Sequence, residues 1–222
     1  MAWYAKPSGG YSMSSTEGTS NILEIAALYR ARGYTDEAIA GVLGNMNAES
    51  AFNPWRWQSD VVNYSGGYGL YQYTPARGYI NLTGVQYHAP NLSTSSQTAG
   101  AQAADGIAQV MVQINDTLGK WVSYCWRDDW IGQAALRAYR DQVVAQYGSG
   151  NRLTQVQFAR IDDIRAATFA FLACFEGPAY PNLETRVAAA QQAYQIIQGQ
   201  PPTPPTPTGN IPKWLLFKIK WR

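Results

Sequence analysis

Glu49 is the residue of this sequence whose type and position best fit a chemical role. The apolar residues before it recur at helical spacing: Ile39, Val42, Leu43 and Met46. Three further residues along that helix face lead to position 49, so a carboxyl group stands where the pattern calls for an apolar side chain. Such a group loses water, which favours its neutral form, and a neutral acid can donate a proton to a leaving glycosidic oxygen. The alternative is a glutamate that turns outward at the helix end and is only solvated.

Two helices are predicted to position this residue. The first spans about residues 20–32, and Gly33 is well placed as its C-terminal stop. The second begins after Thr35, an N-cap residue, because two acidic residues follow in the first turn, where they suit the positive end of the helix. Pro54 bounds this second helix, which carries Glu49 near its end.

The segment 55–75 changes character, because its glycines are interleaved with tyrosines. Short aromatic runs around glycines are typical of a small β-hairpin, which Pro75 would close. Residues 76–96 are predicted to be mostly loop, since they contain Pro90 and a cluster of Ser and Thr.

The rest of the chain is predicted to be helical up to residue 198. One helix begins near residue 97, with Ile107, Val110, Met111 and Ile114 as its apolar stripe, and a Trp-rich segment follows it. Further helices are expected at about 131–147, 160–176 and 182–198. The predicted fold class is therefore α+β and mainly α, a helical domain with a small β-hairpin insert.

Two motifs around Glu49 carry a resemblance to a known family. Residues 45–54 read NMNAESAFNP, and residues 67–75 read GYGLYQYTP. A helix-terminal Glu-Ser with Phe-Asn-Pro, followed by Gly-Leu-x-Gln, resembles the pattern of the lysozyme superfamily, which goose-type lysozymes and lytic transglycosylases share. The sequence is most similar to the phage tail lysozyme family, which includes tail-tip peptidoglycan hydrolases of short-tailed phages infecting Gram-positive bacteria. The resemblance runs from about Ile22 to Gly199 and implies a lysozyme-like helical fold.

The resemblance implies roles for individual residues. Glu49 matches the catalytic acid that protonates the glycosidic oxygen. Ser50 matches a residue that helps to hold the sugar or to orient the acid, although it could also be a simple helix-terminal hydroxyl. Gly69, Leu70 and Gln72 match the hairpin that lines the cleft. Gln72 can offer a donor and an acceptor to an acetamido group, and its alternative is a cross-strand hydrogen bond.

Aromatic residues near Glu49 and the predicted hairpin are candidates for the walls of a glycan-binding cleft. These are Trp55, Trp57, Tyr68 and Tyr73. At least half of them are expected to be core residues instead, because a packed domain also needs large apolar side chains.

A second carboxylate is less clearly indicated. Glycoside hydrolysis commonly uses two acids, and Asp60 and Glu176 are the candidates. Asp60 could equally be an ordinary turn residue, and for Glu176 an ion pair with Arg186 is the favoured interpretation. Many relatives of this superfamily work with a single Glu, and lytic transglycosylases let the acetamido and 6-hydroxyl groups of the substrate complete the reaction. The choice between hydrolase and transglycosylase stays open.

Composition excludes several other functions. The net charge is +2, and four basic residues fall within 213–222, so the rest of the chain is faintly acidic and nucleic-acid binding is not expected. One histidine, His88, and two cysteines, Cys125 and Cys174, are too few for a zinc site of the usual spacing. A Cys–His pair is formally possible, but both cysteines lie in apolar, helix-like stretches. Buried inert thiols are predicted, with a disulfide as the alternative, and no metal or other cofactor is expected.

Four segments make up the predicted organisation: an arm at 1–18, a lysozyme-like catalytic domain at 19–199, a Pro/Thr-rich spacer at 200–210 and an aromatic, cationic tail at 211–222. The tail could be an edge strand that packs on the domain. Alternatively, it could contact a membrane surface or an anionic wall polymer. No signal peptide and no transmembrane helix are expected, since no apolar run is long enough.

The function expected from these observations is a phage-derived muramidase. It would cleave the β-1,4 bond between N-acetylmuramic acid and N-acetylglucosamine in peptidoglycan strands. It could act at the virion tail tip during cell-wall penetration or as an endolysin during host lysis. The alternatives are a non-catalytic peptidoglycan-binding module and a structural tail component.

Overall fold

The structure is a computed structural model, and it describes residues 2–83, 98–123, 134–178 and 180–199. The described residues are mainly helical. Their α-helices are α1 (Thr16–Arg30), α2 (Asp36–Glu49), α3 (Ala76–Thr83), α4 (Ala99–Ile114), α5 (Ala134–Tyr147), α6 (Gln155–Phe158), α7 (Ile164–Phe171) and α8 (Leu183–Gln198). A 3₁₀ turn occupies Gln58–Asp60, and a π-helical turn, Leu172–Glu176, follows α7.

The chain forms two compact units. The described part of the first unit consists of residues 2–28, 49–83 and 98–118. The described part of the second unit consists of residues 29–48, 119–123, 134–178 and 180–199. Glu49 and the glycine- and tyrosine-rich segment after it therefore belong to the first unit, and Glu176 belongs to the second.

Helix α1 begins at Thr16, a few residues before the predicted start, because Ser15 caps it. The Gly18 amide donates to Ser15 Oγ at 3.0 Å, which satisfies one of the donors that every helix N-terminus leaves unpaired. The predicted stop at Gly33 is confirmed, since Gly33 follows the helix in the left-handed region at φ 77. The helix therefore begins within the segment 1–18 that the sequence analysis assigned to the arm.

Helix α2 begins as the sequence predicts and ends at Glu49. The Ala38 amide donates to Thr35 Oγ1 at 3.1 Å, so Thr35 is the N-cap. The predicted apolar stripe is fully buried: Ile39, Val42, Leu43 and Met46. The helix stops well before Pro54, because Ala51 and Phe52 adopt positive φ values of 45° and 60°, which no helix can contain.

The segment 55–75 does not form the predicted β-hairpin. In this part of the described chain, the strand-like pairing is one isolated antiparallel bridge between Trp57 and Tyr68. Positive φ values at Gly69 (79°) and Gln72 (45°) turn the chain sharply and interrupt any ladder. The hairpin prediction is wrong, and the described fold is mainly α. The sequence signal was misleading because the tyrosines pack as a cluster rather than alternating across a sheet.

The N-terminal residues are irregular, as predicted, but they are held firmly within the first unit. Two fully buried asparagines hold them. The Asn21 side chain accepts from the Tyr4 amide at 2.9 Å and donates to the carbonyl oxygens of Tyr4 and Phe52 at 2.8 Å. The Asn53 side chain accepts from the Lys6 amide at 3.2 Å and donates to the Lys6 carbonyl at 2.9 Å. The arm is therefore joined to the residues that directly follow Glu49.

In the second unit, the helices fall close to their predicted places. Helix α5 and helix α8 occupy the predicted 131–147 and 182–198 within a few residues. Helix α7 starts at Ile164 rather than near 160, because Asp163 Oδ1 caps it by accepting from the Ala166 amide at 2.6 Å.

The buried side chain of Asn45 joins three segments of the second unit. Its amide donates to the carbonyl oxygens of Gly41 and Thr168, at 2.9 and 3.0 Å. Arg186 Nη1 donates to Asn45 Oδ1 at 3.1 Å and to its carbonyl at 3.3 Å. Arg186 is only 6% exposed, so these bonds give it a structural role.

Cys174 is buried and disulfide-bonded. The prediction of an inert buried thiol is therefore wrong for Cys174, and the alternative of a disulfide is correct. Several predictions lie outside the described residues: those for His88, Cys125, most of the loop at 76–96, the spacer at 200–210 and the tail at 211–222. Helix α3 occupies the start of that predicted loop. None of the described helices is long and apolar enough to cross a membrane.

Candidate active site

Glu49 is the last residue of α2, and its side chain is half-buried. The sequence pattern predicted a carboxyl group on the apolar face, shielded from water. The helix ends at this residue, so its side chain is only partly enclosed. Ser50, which follows it, is fully buried. The carboxyl group of Glu49 is therefore partly accessible, whereas the residue directly after it is enclosed in the protein.

Ser50 connects the end of α2 to the glycine- and tyrosine-rich segment. Its hydroxyl donates to the Leu70 carbonyl at 2.9 Å. The bond is buried and spans 20 residues of sequence, so it fixes the register between two segments that are otherwise irregular. The structure thus gives the hydroxyl a definite partner, which fits a role in orienting the neighbouring acid.

Residues 69–72 form a tight turn, which we call the glycine turn, and Leu70 lies within it. The Gln72 amide donates to the Gly69 carbonyl at 3.1 Å, and Gln72 Nε2 donates to the same carbonyl at 3.0 Å. Gln72 Nε2 also donates to the Arg56 carbonyl at 3.1 Å. The side-chain amide therefore bonds to backbone carbonyls around a turn, which differs from the cross-strand hydrogen bond that the sequence analysis gave as the alternative to glycan binding.

The predicted cleft-wall aromatics are core residues. Trp57 and Tyr68 are at most 1% exposed, and Trp55 and Tyr73 are 3% exposed. Leu70 is fully buried as well. Side chains buried to this degree cannot contact a glycan directly in this conformation. For Trp57, Tyr68, Leu70 and Tyr73 the structure therefore argues against substrate-binding side chains. Gly69 is buried as well, and Gln72 is half-buried.

Two of the buried tyrosines share a carboxyl group that the sequence analysis did not single out. Tyr68 donates to Asp105 Oδ2 at 2.7 Å, and Tyr79 donates to Asp105 Oδ1 at 2.6 Å. All three side chains are fully buried. Burial, and then the charge and hydrogen bond of Asp105, raise the pKa of both tyrosines well above 10.0. The cluster anchors α3 and the tyrosine segment to α4.

Gln109 lies one helical turn after Asp105 on α4 and is also fully buried. Its side chain forms hydrogen bonds with two backbone segments, at Leu70 and at Pro54. Sequence analysis assigned only the apolar stripe of this helix. Polar residues recur every four positions in this helix, at 105, 109 and 113, but opposite an apolar stripe such a row normally indicates an exposed face.

Asp60 is engaged in contacts within the first unit. Its Oδ1 accepts from the Gly9 amide at 2.7 Å and lies 3.8 Å from Arg56 Nε. Asp60 has a positive φ of 55° in the 3₁₀ turn. These contacts hold the N-terminal arm, which fits the interpretation as a turn residue. A role as a second catalytic carboxylate stays a prediction.

Glu176 belongs to the second unit, where it is half-buried at the end of the π-helical turn. Gly177 follows at φ 52 and ends that turn. The predicted ion pair with Arg186 and the alternative role as a cleft carboxylate both stay predictions.

The sequence matches the model of a family described as phage tail lysozyme over residues 20–197. The chain belongs to the phage tail lysozyme family. The resemblance inferred from the motifs around Glu49 is thereby confirmed. The matched range contains α2, the turn at Gly69 and Gln72, and α4, so the whole arrangement described above lies within the family region.

A curated phage protein is similar to part of this chain. It is Morphogenesis protein 1 of Bacillus phage B103, which is 47% identical over 70 residues. The similar stretch covers 31% of this chain and 19% of that protein. Together with the family match, it supports a lysozyme-like role and association with a phage virion.

The described residues offer the chemistry of one carboxyl group on a rigid support. Glu49 offers a half-buried carboxyl group, and the half-buried Gln72 offers a side-chain amide. Across the described ranges, no group of three or more His, Cys, Asp or Glu side chains could hold a metal ion.

Proposed function

We propose that this protein is a peptidoglycan muramidase in which Glu49 is the general acid. Glu49 would protonate the oxygen of the β-1,4 bond between N-acetylmuramic acid and N-acetylglucosamine. The observation that carries the proposal is the bond between Ser50 and Leu70, because it fixes the glutamate end of α2 against the glycine turn in a chain of the phage tail lysozyme family.

A fixed backbone on both sides of one carboxyl group suits acid catalysis. A general acid acts efficiently only when its proton is held within hydrogen-bond reach of the leaving oxygen. The half-buried side chain of Glu49 can be reached by a substrate, and the buried Ser50 beside it restricts backbone movement. Gln72 is half-buried and would lie along the glycan, where its amide oxygen is an acceptor, whereas Gly69 is buried and would contribute only to the shape of the turn.

The second candidate function is a structural tail component without catalysis. The name of the relative from Bacillus phage B103, Morphogenesis protein 1, favours this candidate. A non-catalytic peptidoglycan-binding module is the related alternative. Both differ from the muramidase in one measurable respect, since neither cleaves the cell wall.

The decisive variant is Glu49→Gln, which keeps the shape of the side chain and removes its acidic proton. Clearing of Gram-positive cell walls in a zymogram should be lost with Glu49→Gln and retained with Glu184→Gln. Glu184 is a matched control, because it is exposed and forms a surface ion pair with Arg165. Equal clearing by both variants refutes the role of Glu49. Absence of clearing by the unmodified protein favours the structural or binding alternatives.

Mass spectrometry of digested peptidoglycan separates the possible reactions. Reducing muramic acid ends identify a hydrolase, and anhydro ends identify a lytic transglycosylase. The absence of both refutes the muramidase proposal. The variant Asp60→Asn tests for a second carboxylate in the first unit: retained activity in a folded protein argues for catalysis by a single acid, and so does retained activity of Glu176→Gln.

The proposed substrate is the glycan strand of peptidoglycan, and the proposed place of action is the phage tail tip or, as an endolysin, the host cell wall. Contact of residues 211–222 with an anionic wall polymer or a membrane surface is a further proposal, based on their aromatic and cationic composition. Cosedimentation with purified walls, with and without these residues, tests it.

A further inference from the structure

Gln109 is a buried amide in a helix whose adjacent residues are apolar. It belongs to α4, is fully buried, and lies between the buried residues Ala108 and Val110. An amide among apolar side chains is unfavourable unless its donor and acceptor are both hydrogen-bonded. Its presence therefore depends on the bonds that it makes.

The two polar atoms of Gln109 bond to two different backbone segments. Oε1 accepts from the Leu70 amide at 2.6 Å, and Nε2 donates to the Pro54 carbonyl at 2.7 Å. Leu70 lies in the glycine turn, and Pro54 lies on the chain that leaves Glu49. One planar carboxamide thus joins the turn to that chain, in addition to the bond that the Gly69 amide donates to the Arg56 carbonyl at 2.8 Å.

Leu70 is held at both of its backbone polar groups. Its amide donates to Gln109, and its carbonyl accepts from Ser50, at 2.9 Å. Ser50 is covalently next to Glu49. A displacement of the Gln109 carboxamide would therefore reach Glu49 through two intervening residues, Leu70 and Ser50.

The turn also packs closely around Gln109. A Cβ atom on Gly69 would overlap the Gln109 carboxamide, so the absence of a side chain permits this approach. The Tyr73 hydroxyl donates to the Gln109 carbonyl at 2.9 Å. The turn is therefore bonded to Gln109 at Leu70 and Tyr73 and packed against it at Gly69.

We propose that Gln109 is a positioning residue for the proposed muramidase reaction. Its carboxamide fixes the turn at Gly69 and Leu70 relative to the end of α2, and so fixes the Glu49 carboxyl relative to the bound glycan. The inference rests on the proposed function. Gln109 is fully buried, so it acts through Leu70 and Ser50 rather than by contact with the substrate.

The first test is Gln109→Met, which keeps a similar volume and removes both side-chain hydrogen bonds. A misplacement of the catalytic group lowers turnover, and we expect kcat to fall about 10- to 100-fold while KM changes less than about threefold. The matched control is Val112→Ala, a core substitution in the same helix at a residue that is 2% exposed. Rates on glycan strands are compared at a temperature at which circular dichroism shows both variants to be folded.

The second test is Gln109→Glu, which separates positioning from packing. A protonated carboxyl can accept from Leu70 and donate to Pro54, as the amide does, whereas the ionised form has no donor. The kcat ratio of this variant to the unmodified protein should rise as the pH falls. The one charged residue of α4 is Asp105, four positions before Gln109, and the Tyr73 hydroxyl donates to the Gln109 carbonyl. They are present in both proteins, so the ratio isolates the substituted side chain.

The outcomes distinguish this inference from the function on which it rests. If the unmodified protein does not cleave peptidoglycan, the proposed function fails and the inference fails with it. If the unmodified protein cleaves, Glu49→Gln does not, and Gln109→Met retains full kcat when folded, the inference alone is overturned. Equal kcat losses in Gln109→Met and Val112→Ala also overturn it, since general loosening of the core would then explain both.

Discussion

Replacing Asp105 by Ala removes the acceptor that two buried tyrosines share. Tyr68 and Tyr79 donate to its two oxygens at 2.7 and 2.6 Å. A hydrogen bond to a charged group contributes roughly 1.5–3 kcal/mol, so the two bonds together contribute about 3–6 kcal/mol. That is a large part of the roughly 5–15 kcal/mol by which a typical domain is stable. We therefore expect Asp105→Ala to bring the protein close to unfolding.

Urea titration of the purified protein at neutral pH measures the decrease in the free energy of unfolding. The midpoint should fall while the slope stays constant, because the unfolded surface is unchanged. Asp105→Asn is the matched control: it keeps the size of the side chain and one acceptor oxygen, and it should lose about half as much. Adding Tyr68→Phe and Tyr79→Phe to Asp105→Ala should recover part of the stability, because the buried hydroxyls that lost this acceptor are then absent.

Two results would refute this reasoning. The first is a loss below about 1 kcal/mol for Asp105→Ala, which would mean that the two bonds contribute little. The second is a triple variant whose losses simply add, because additivity would show that the tyrosines and the carboxylate are not energetically coupled.

Three further results are expected. Ser50→Ala should lower stability by about 1–2 kcal/mol in thermal unfolding, since Leu70 loses a buried donor, and it should also reduce wall clearing; unchanged clearing would leave the hydroxyl with a structural role only. Gly69→Ala should lower stability by about 1–3 kcal/mol, because the residue has a φ of 79° and no room for a Cβ; a melting temperature equal to that of the unmodified protein would contradict this. The free energy of unfolding should also fall as the pH rises above about 10. Burial raises the pKa of Tyr68 and Tyr79 in the folded protein above their pKa in the unfolded chain. Their neutral forms therefore contribute fully to stability only below the pKa of the unfolded chain. Urea midpoints that stay constant up to about pH 11 would argue against it.

The sequence was sufficient to predict the helix that carries Glu49. Local signals determined it: the cap at Thr35, an apolar stripe of period 3.6, and Gly33 before it. The family resemblance was also visible, because it depended on short, ordered motifs. These features are encoded within a few residues of one another, and no long-range packing is needed to recognise them.

The support of the site could not be predicted in the same way. Asp105 and Gln109 look like solvent-facing polar residues on an amphipathic helix, and only the packing of α4 against the tyrosine segment places them in the core. The hairpin prediction failed for a related reason. Alternating glycine and tyrosine fits a strand locally, but hydrogen bonds to α4 hold the segment in a turn, as the bond from Tyr73 to Gln109 illustrates.

The hydrogen bonds that hold the N-terminal residues have a consequence for engineering this protein. Irregular residues at 2–11 invite trimming as a dispensable leader. Their removal would leave the buried side chains of Asn21 and Asn53 without the backbone groups of Tyr4 and Lys6 to which they are hydrogen-bonded. Asn53 is only four residues from the proposed acid. A shortened version that expresses well yet leaves cell walls intact would therefore say nothing about whether the full chain is an enzyme.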